Sequence, residues 1–192
     1  MKLPISWLND YIDVSDYDVE ALARLLTNAG LEVNSIQLVG LPMPEREKHE
    51  FKISGLSWPK DKFVVAQVDE VLPHPDADRL TLCRLVDDED EHIVLTGAPN
   101  IFHLKGTGSL ETPLKVAYAK FGAEIYDGHQ PGWVLTKLKK AKIRGIESSS
   151  MVASEKELGI SEEHEGIILL PDDAPTGMPL VDYMGDAVFD IE

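Results

Sequence analysis

Phe63-Val64-Val65-Ala66-Gln67-Val68 decides how this 192-residue chain is read. Six consecutive residues dominated by β-branched, aromatic and small apolar side chains make a strand. Working outward, residues 80–86, 92–96 and 114–119 have the same character. They are separated by turn-forming stretches: Pro73-His74-Pro75, Asp87-Asp88-Glu89-Asp90, Gly97-Ala98-Pro99-Asn100 and Gly106-Thr107-Gly108. Short strands at this spacing predict a small barrel or sandwich.

The flanks differ. Ser6-Trp7-Leu8-Asn9-Asp10-Tyr11-Ile12 places Trp7, Leu8, Tyr11 and Ile12 on one apolar helical face, which puts Trp7 in a core. Breakers at 13–16 follow, with Ser15 or Asp16 as an N-cap. A second helix is expected over 19–28, with Leu22, Leu25 and Leu26 in a stripe and Gly30 as its stop. Residues 31–39 alternate like a strand. Gly40, Pro42, Pro44, Gly55 and Pro59 then mark 41–60 as a linker. At the far end, a strand at 166–170 precedes the turn Pro171-Asp172-Asp173-Ala174-Pro175. Neither end can bury a core alone. The expected architecture is therefore a discontinuous domain from 1–40 and 152–192, with a barrel at 61–151 inserted into it.

The 43% hydrophobic and 27% charged content is that of a soluble globular protein. No apolar run is long enough to span a bilayer. The start lacks the features of a signal peptide, and a single cysteine, Cys83, excludes an internal disulfide framework. Cytoplasm is the expected compartment. The net charge of −16 argues against a polyanion partner unless the cations are concentrated. They are: Lys137, Lys139, Lys140, Lys142 and Arg144 fall in one acid-free stretch, leaving 13 basic residues against 34 acids elsewhere.

That stretch runs into the second of two unusual segments. The first is His74-Pro75-Asp76-Ala77-Asp78-Arg79-Leu80, a turn in which prolines pin φ and Asp side chains bond local amides. The second is Lys142-Ile143-Arg144-Gly145-Ile146-Glu147-Ser148-Ser149-Ser150-Met151, which sets cations and hydroxyls beside a glycine bend. Such groups serve phosphate and sugar contacts.

In this order, with Gly97-Ala98-Pro99-Asn100 between them, the two segments resemble the tRNA-binding OB module. That module occurs in phenylalanyl-tRNA synthetase β subunits, some methionyl-tRNA synthetases and free-standing tRNA-binding proteins. Its usual form is a His-Pro-x-Ala-Asp-Lys/Arg-Leu turn, a later Lys-x-Arg-Gly, then Ser-x-Gly-Met. His74, Pro75, Ala77, Asp78, Arg79 and Leu80 match the first part. Lys142, Arg144, Gly145, Ser148 and Met151 match the rest. Met1-Lys2-Leu3-Pro4-Ile5-Ser6-Trp7-Leu8-Asn9-Asp10-Tyr11, Gly30-Leu31-Glu32-Val33, Ser154-Glu155-Lys156-Glu157-Leu158-Gly159 and the stretch 166–175 are similar to the bacterial phenylalanyl β subunit. Two departures stand out: Ser150 occupies a usual glycine position, and the stretches 41–60 and 103–113 are longer than usual.

The resemblance implies a mainly β protein with α+β content, an OB-fold barrel inserted into a small α+β domain formed by the two chain ends. It implies a nucleic-acid site of Lys137, Lys139, Lys140, Lys142, Arg144, Ser148, Ser149 and Met151, with His74, Arg79 and Asn100. It implies no catalytic residue, metal or cofactor in this chain. The parent enzyme would be a phenylalanine–tRNA ligase using ATP and Mg2+, an α2β2 assembly whose aminoacylation site lies in the α subunit and whose partner is tRNA. A free-standing tRNA chaperone and an architectural module with little RNA contact are the alternatives.

Other chemistry is poorly represented. The sequence contains no Walker loop, Rossmann fingerprint or His-Glu-x-x-His. The six histidines lack metal-ligand spacing, and Ser148-Ser149-Ser150 has no evident base partner. Residues 87–91 read as a solvated hairpin tip, and Trp133, between Gly132 and Val134, is left open between core and base stacking.

Overall fold

A computed structural model describes residues 1–88 and 90–192. In chain order it opens with β1 (Lys2–Pro4), α1 (Ile5–Asn9), α2 (Val19–Asn28), β2 (Val33–Gly40) and β3 (Lys52–Ser57). Next come β4 (Phe63–Pro73), β5 (Thr81–Val86), β6 (Glu91–Thr96), a 3-10 turn at Pro99–Leu104 and β7 (Ser109–Ala119). Short strands follow: β8 (Glu124–Tyr126), β9 (Leu135–Lys137), β10 (Ala141–Ile143), β11 (Ile146–Ser148), β12 (Met151–Val152) and β13 (Leu169–Leu170). The last elements are α3 (Leu180–Met184) and β14 (Asp186–Ile191). Two compact units result, Met1–Trp58 with Met184–Glu192, and Pro59–Tyr183.

The first unit depends on the chain's far end. Its sheet runs β1-β14-β2-β3, so β14 lies between two strands from the opening forty residues. Ala187, Phe189 and Ile191 point from β14 into a core with Leu22, Ala23, Ile36 and Leu38. Helix α2 is capped by Asp18, whose carboxylate accepts from the Glu20 and Ala21 amides at 3.1 Å. Ser15 and Asp16 lie too far ahead of Val19 to do so. Trp7 is 54% exposed, against the expectation of a core residue. The reason is that α1 stops after five residues, and the Asn9 side chain accepts from the Val14 amide to turn the chain. Leu3 and Val14 are the buried residues here.

The supposed linker is partly sheet. β3 pairs in parallel with β2, setting Gly55 opposite Leu38. A Cβ on Gly55 would lie 2.1 Å from the Leu38 carbonyl oxygen. The glycine is there because the two backbones approach closely, not because the strand breaks.

The second unit is a nearly closed five-stranded barrel ordered β12-β7-β4-β5-β6, with β12 lying against β6 to complete the circuit. Strand β4 curves through a bulge between Val68 and Glu70, which lets one strand serve both halves of the barrel. Val64, Ala66, Val68, Leu85, Val116 and Val152 fill the interior, and Ile101 enters from the 3-10 turn.

Residues 152–183 belong to this unit, whereas the sequence reading assigned them to the discontinuous domain. Three backbone connections hold them: β12 and β13 pair with β7, and Val65 exchanges hydrogen bonds with Gly177 and Met178 at 2.8 and 2.9 Å. Ile167 enters the barrel core. The far-end contribution to the first unit is thus only 184–192.

The tip at 87–91 is not uniformly solvated; Glu89 lies outside the described residues. Asp87 is buried, with Lys120 Nζ at 2.9 Å and His92 Nε2 at 3.2 Å from its Oδ2. Burial raises its pKa, but the hydrogen bonds from Lys120 and the Asp90 amide, with the Lys120 and His92 charges, outweigh it and hold the carboxyl at about 2.

Two outcomes follow. Phe189→Ala should lower the stability of the first unit by about 3–5 kcal/mol in urea denaturation, since it empties a fully buried aromatic site. Asp87 ionises more readily folded (about 2) than unfolded (near 3.8), so its contribution, about 2 kcal/mol, is complete above pH 4 and lost as pH falls through 2. The stability gap between wild type and Asp87→Asn, followed from pH 5 to 2, should close over that window.

Candidate nucleic-acid interface

Between β7 and β12 the chain makes an excursion of two hairpins. In the first, β8 and β9 pair Glu124 with Lys137, Ile125 with Thr136 and Tyr126 with Leu135. In the second, β10 and β11 pair Ile143 with Ile146, leaving Arg144 and Gly145 as a two-residue loop. Their φ values of 48° and 89° are both left-handed, the type I′ geometry that matches strand twist. The Lys-x-Arg-Gly pattern is therefore a hairpin turn: glycine supplies the left-handed position, and Arg144 is carried exposed at the tip.

A groove of about 870 Å3 opens on the barrel. Leu80, Gly97 and Pro99 line one part, while Lys139, Ser149 and Met151 line another. Segments some seventy residues apart in sequence thus meet. Ser148 also lines it. Lys137, Lys140, Lys142 and Arg144 are exposed outside it, with Lys140 Nζ 3.7 Å from Glu147 Oε1. The groove also has acidic lining in Glu157 and Glu165. The Glu157 carboxylate is occupied, accepting from the Ser154 amide at 2.7 Å and hydroxyl at 2.8 Å.

The other expected residues have local duties. His74 is buried, and its Nδ1 accepts from the Asp76 amide at 3.0 Å, fixing the turn. Asn100 clamps Ile167 with both ends of its amide, donating to the carbonyl at 2.9 Å and accepting from the N–H at 3.2 Å. Arg79 is exposed, and of the 74–80 turn Leu80 reaches the groove. Ser150 bonds the Tyr118 phenol, whose pKa burial raises. Among the described residues the non-glycine ones with left-handed φ are Asp88 and Arg144, so Ser150 costs no backbone strain at the usual glycine position.

Sequence reasoning missed Lys62. A Cβ on Gly122 would lie 3.8 Å from Lys137 Cε and 4.0 Å from Lys62 Nζ, so two lysines 75 positions apart converge. Nothing local around Lys62 signals this. The buried Cys83 thiol is pushed up to about 12 by burial, which leaves it unsuited to nucleophilic work. Among the described residues no cluster of His, Cys, Asp and Glu is arranged to hold a metal, and no helix is long and apolar enough to cross a membrane.

A bulged, nearly closed five-stranded barrel, its last connection drawn out into cation-bearing hairpins, is an OB-like fold. Over its whole length the chain is similar to phenylalanine–tRNA ligase β subunits, of which it spans about one fifth. It is 38% identical to the subunit of Dehalococcoides mccartyi (strain ATCC BAA-2266) and 43% identical to that of Rhodospirillum rubrum, each over 192 residues. Both alignments cover all of this chain and 20% of the relative. No family model matches. Among solved structures, the crystal structure of MetRS related protein from Pyrococcus horikoshii aligns with a TM-score of 0.40 at 19% identity. That alignment covers 61% of this chain and 86% of the other, too distant to support a conclusion.

Gly145→Ala puts a Cβ on a left-handed position and should cost about 1–2 kcal/mol. Amide NMR shifts should move across 141–148 while the barrel-core amides of β4 stay in place.

Proposed function

We propose that the chain is an auxiliary tRNA-binding and structural module of a phenylalanine–tRNA ligase β subunit, without a catalytic step of its own. The observation that supports this best is the groove itself, where Lys139 and the serine segment ending at Met151 face Leu80 and Gly97. Cations and hydroxyls on one face suit phosphate and ribose, and such a face reads RNA by shape more than by sequence. Lys137, Lys140, Lys142, Arg144 and Arg79 extend the positive surface; His74 and Asn100 act by fixing the chain around it. The parent enzyme would attach phenylalanine to tRNA at the expense of ATP with Mg2+, together with an α subunit in an α2β2 complex in the cytoplasm. Those functions would reside outside this fifth of the β subunit.

Titration with tRNA at two salt concentrations tests the reading. Affinity should be weak, about 10⁻⁴ to 10⁻⁶ M, because the body is so acidic. With two to four phosphates held, log K should fall against log salt with a slope of roughly −2 to −4. Changing Lys139, Lys142 and Arg144 together to Glu should abolish binding without unfolding the protein, while His103→Ala should leave it intact. Unchanged affinity and slope in the triple variant would leave the architectural role standing instead.

A further inference from the structure

Next to the groove lies an aromatic surface that neither core nor turn requires. Phe121, Trp133, Val134 and Leu135 are all exposed. Exposed apolar groups clustered along one short segment mark an interaction surface rather than a folding requirement. The hairpin orders them. The ladder continues beyond β9 on both sides, through the Asp127 amide to the Val134 carbonyl at 2.8 Å and the Leu138 amide to the Ala123 carbonyl at 2.9 Å. Side chains two apart therefore share a face, and Trp133, Leu135 and Lys137 form one row with about 7 Å between successive members.

Each end of that row is braced. The Tyr126 ring meets the Trp133 ring edge-on, with centroids 5.0 Å apart at 63°, which holds the indole in place while leaving it 45% exposed. Lys137 makes no ion pair among the described residues and converges with Lys62 beside Gly122, next to exposed Phe121. Lys62 Nζ is 3.6 Å from Asp61 Oδ2, an exposed pairing that a phosphate can displace. Glu124 lies directly across the ladder from Lys137, an acidic neighbour that Lys62 helps to offset.

We infer that this face is a stacking platform for an unpaired RNA nucleotide, with Trp133 taking the base and Lys137 with Lys62 taking the adjoining phosphate. The inference rests on the RNA-binding reading above and extends it from shape recognition to the capture of a single-stranded segment. Alternation of a flat aromatic surface with cations complements the alternation of base and phosphate along a single strand. Lys139, two residues beyond Lys137, lines the groove, so the same strand can occupy both. The positive charge of the row on a chain of net −16 selects an anionic occupant.

The experiment uses the 192-residue chain with three probes: a single-stranded oligouridylate, a duplex RNA of the same length, and a poly-glutamate peptide. Oligouridylate should quench the fluorescence that disappears in Trp133→Phe, a difference that removes the Trp7 and Trp58 contributions. Trp133→Ala should weaken oligouridylate binding roughly five- to a hundredfold with an unaltered salt slope, and Trp133→Phe should keep most of the affinity. Lys137→Gln should reduce the slope by about 1. Duplex binding should be unaffected by Trp133→Ala. If Trp133→Ala and Trp133→Phe both bind oligouridylate like wild type while the triple charge reversal abolishes binding, the platform is refuted and the RNA-binding reading survives. If the unaltered chain binds no RNA, both fall. Poly-glutamate that quenches Trp133 and displaces oligouridylate equally well would assign the face to a protein partner and overturn the inference.

Discussion

The pairing of Met151 and Val152 with Ala119 and Tyr118 is the constraint on which the barrel unit depends. It completes the barrel with a two-residue strand and brings the chain back beside the residues it left thirty positions earlier. Everything between is tied at both ends and excluded from an interior already filled by β4, β5, β6 and β7. Much of its backbone is satisfied by pairing within the excursion, as two short hairpins, with further bonds such as the Tyr126 amide to the Glu157 carbonyl at 3.0 Å. Ala123 and Ile125 of the first hairpin are buried, but most other side chains of the two hairpins are exposed and so can be charged or aromatic.

The base of the excursion is anchored electrostatically. Lys120, directly after β7, bonds Asp87 beyond β5, and Ser150, directly before β12, bonds Tyr118. The His92 ring lies 5.5 Å from that of Tyr118 and close to Asp87. One stalk of the excursion is therefore joined to the β5–β6 connection and the other to β7. A buried carboxylate is tolerable there because a cation and an amide meet it, and removing a partner would leave an uncompensated buried charge. Lys120 is thereby committed to structure, whereas Lys137 and Lys139 make no ion pair among the described residues.

Period and turn chemistry made much of this legible. The α2 boundaries, the barrel strands and the stop at Gly30 followed from side-chain spacing and glycine conformation, which are local properties. What failed to show in the sequence was decided by backbone partners. Gly55 reads as a breaker until a neighbouring strand approaches its α-carbon, and residues 152–183 show no periodicity that reports Val65 bonding to Gly177 and Met178. Asp87 has the composition of a solvated tip, and only the return of β7 brings Lys120 to it. For the candidate site, the run of cations from Lys137 to Arg144 stands out in the sequence because it is contiguous. Lys62 does not, because its proximity to Lys137 is a product of the barrel.

Local charge can then prevail over net charge. At physiological ionic strength the Debye length is about 8 Å, close to the spacing of alternate side chains along one hairpin face. A phosphate placed at Lys137, as proposed, would feel neighbours one or two positions away strongly and acids across the barrel faintly. The surrounding −16 acts mainly on approach, lowering nonspecific attachment elsewhere on the surface. On the proposed reading, specificity would come from cations that make no ion pair among the described residues, and the hairpin excursion carries them because most of its side chains are exposed.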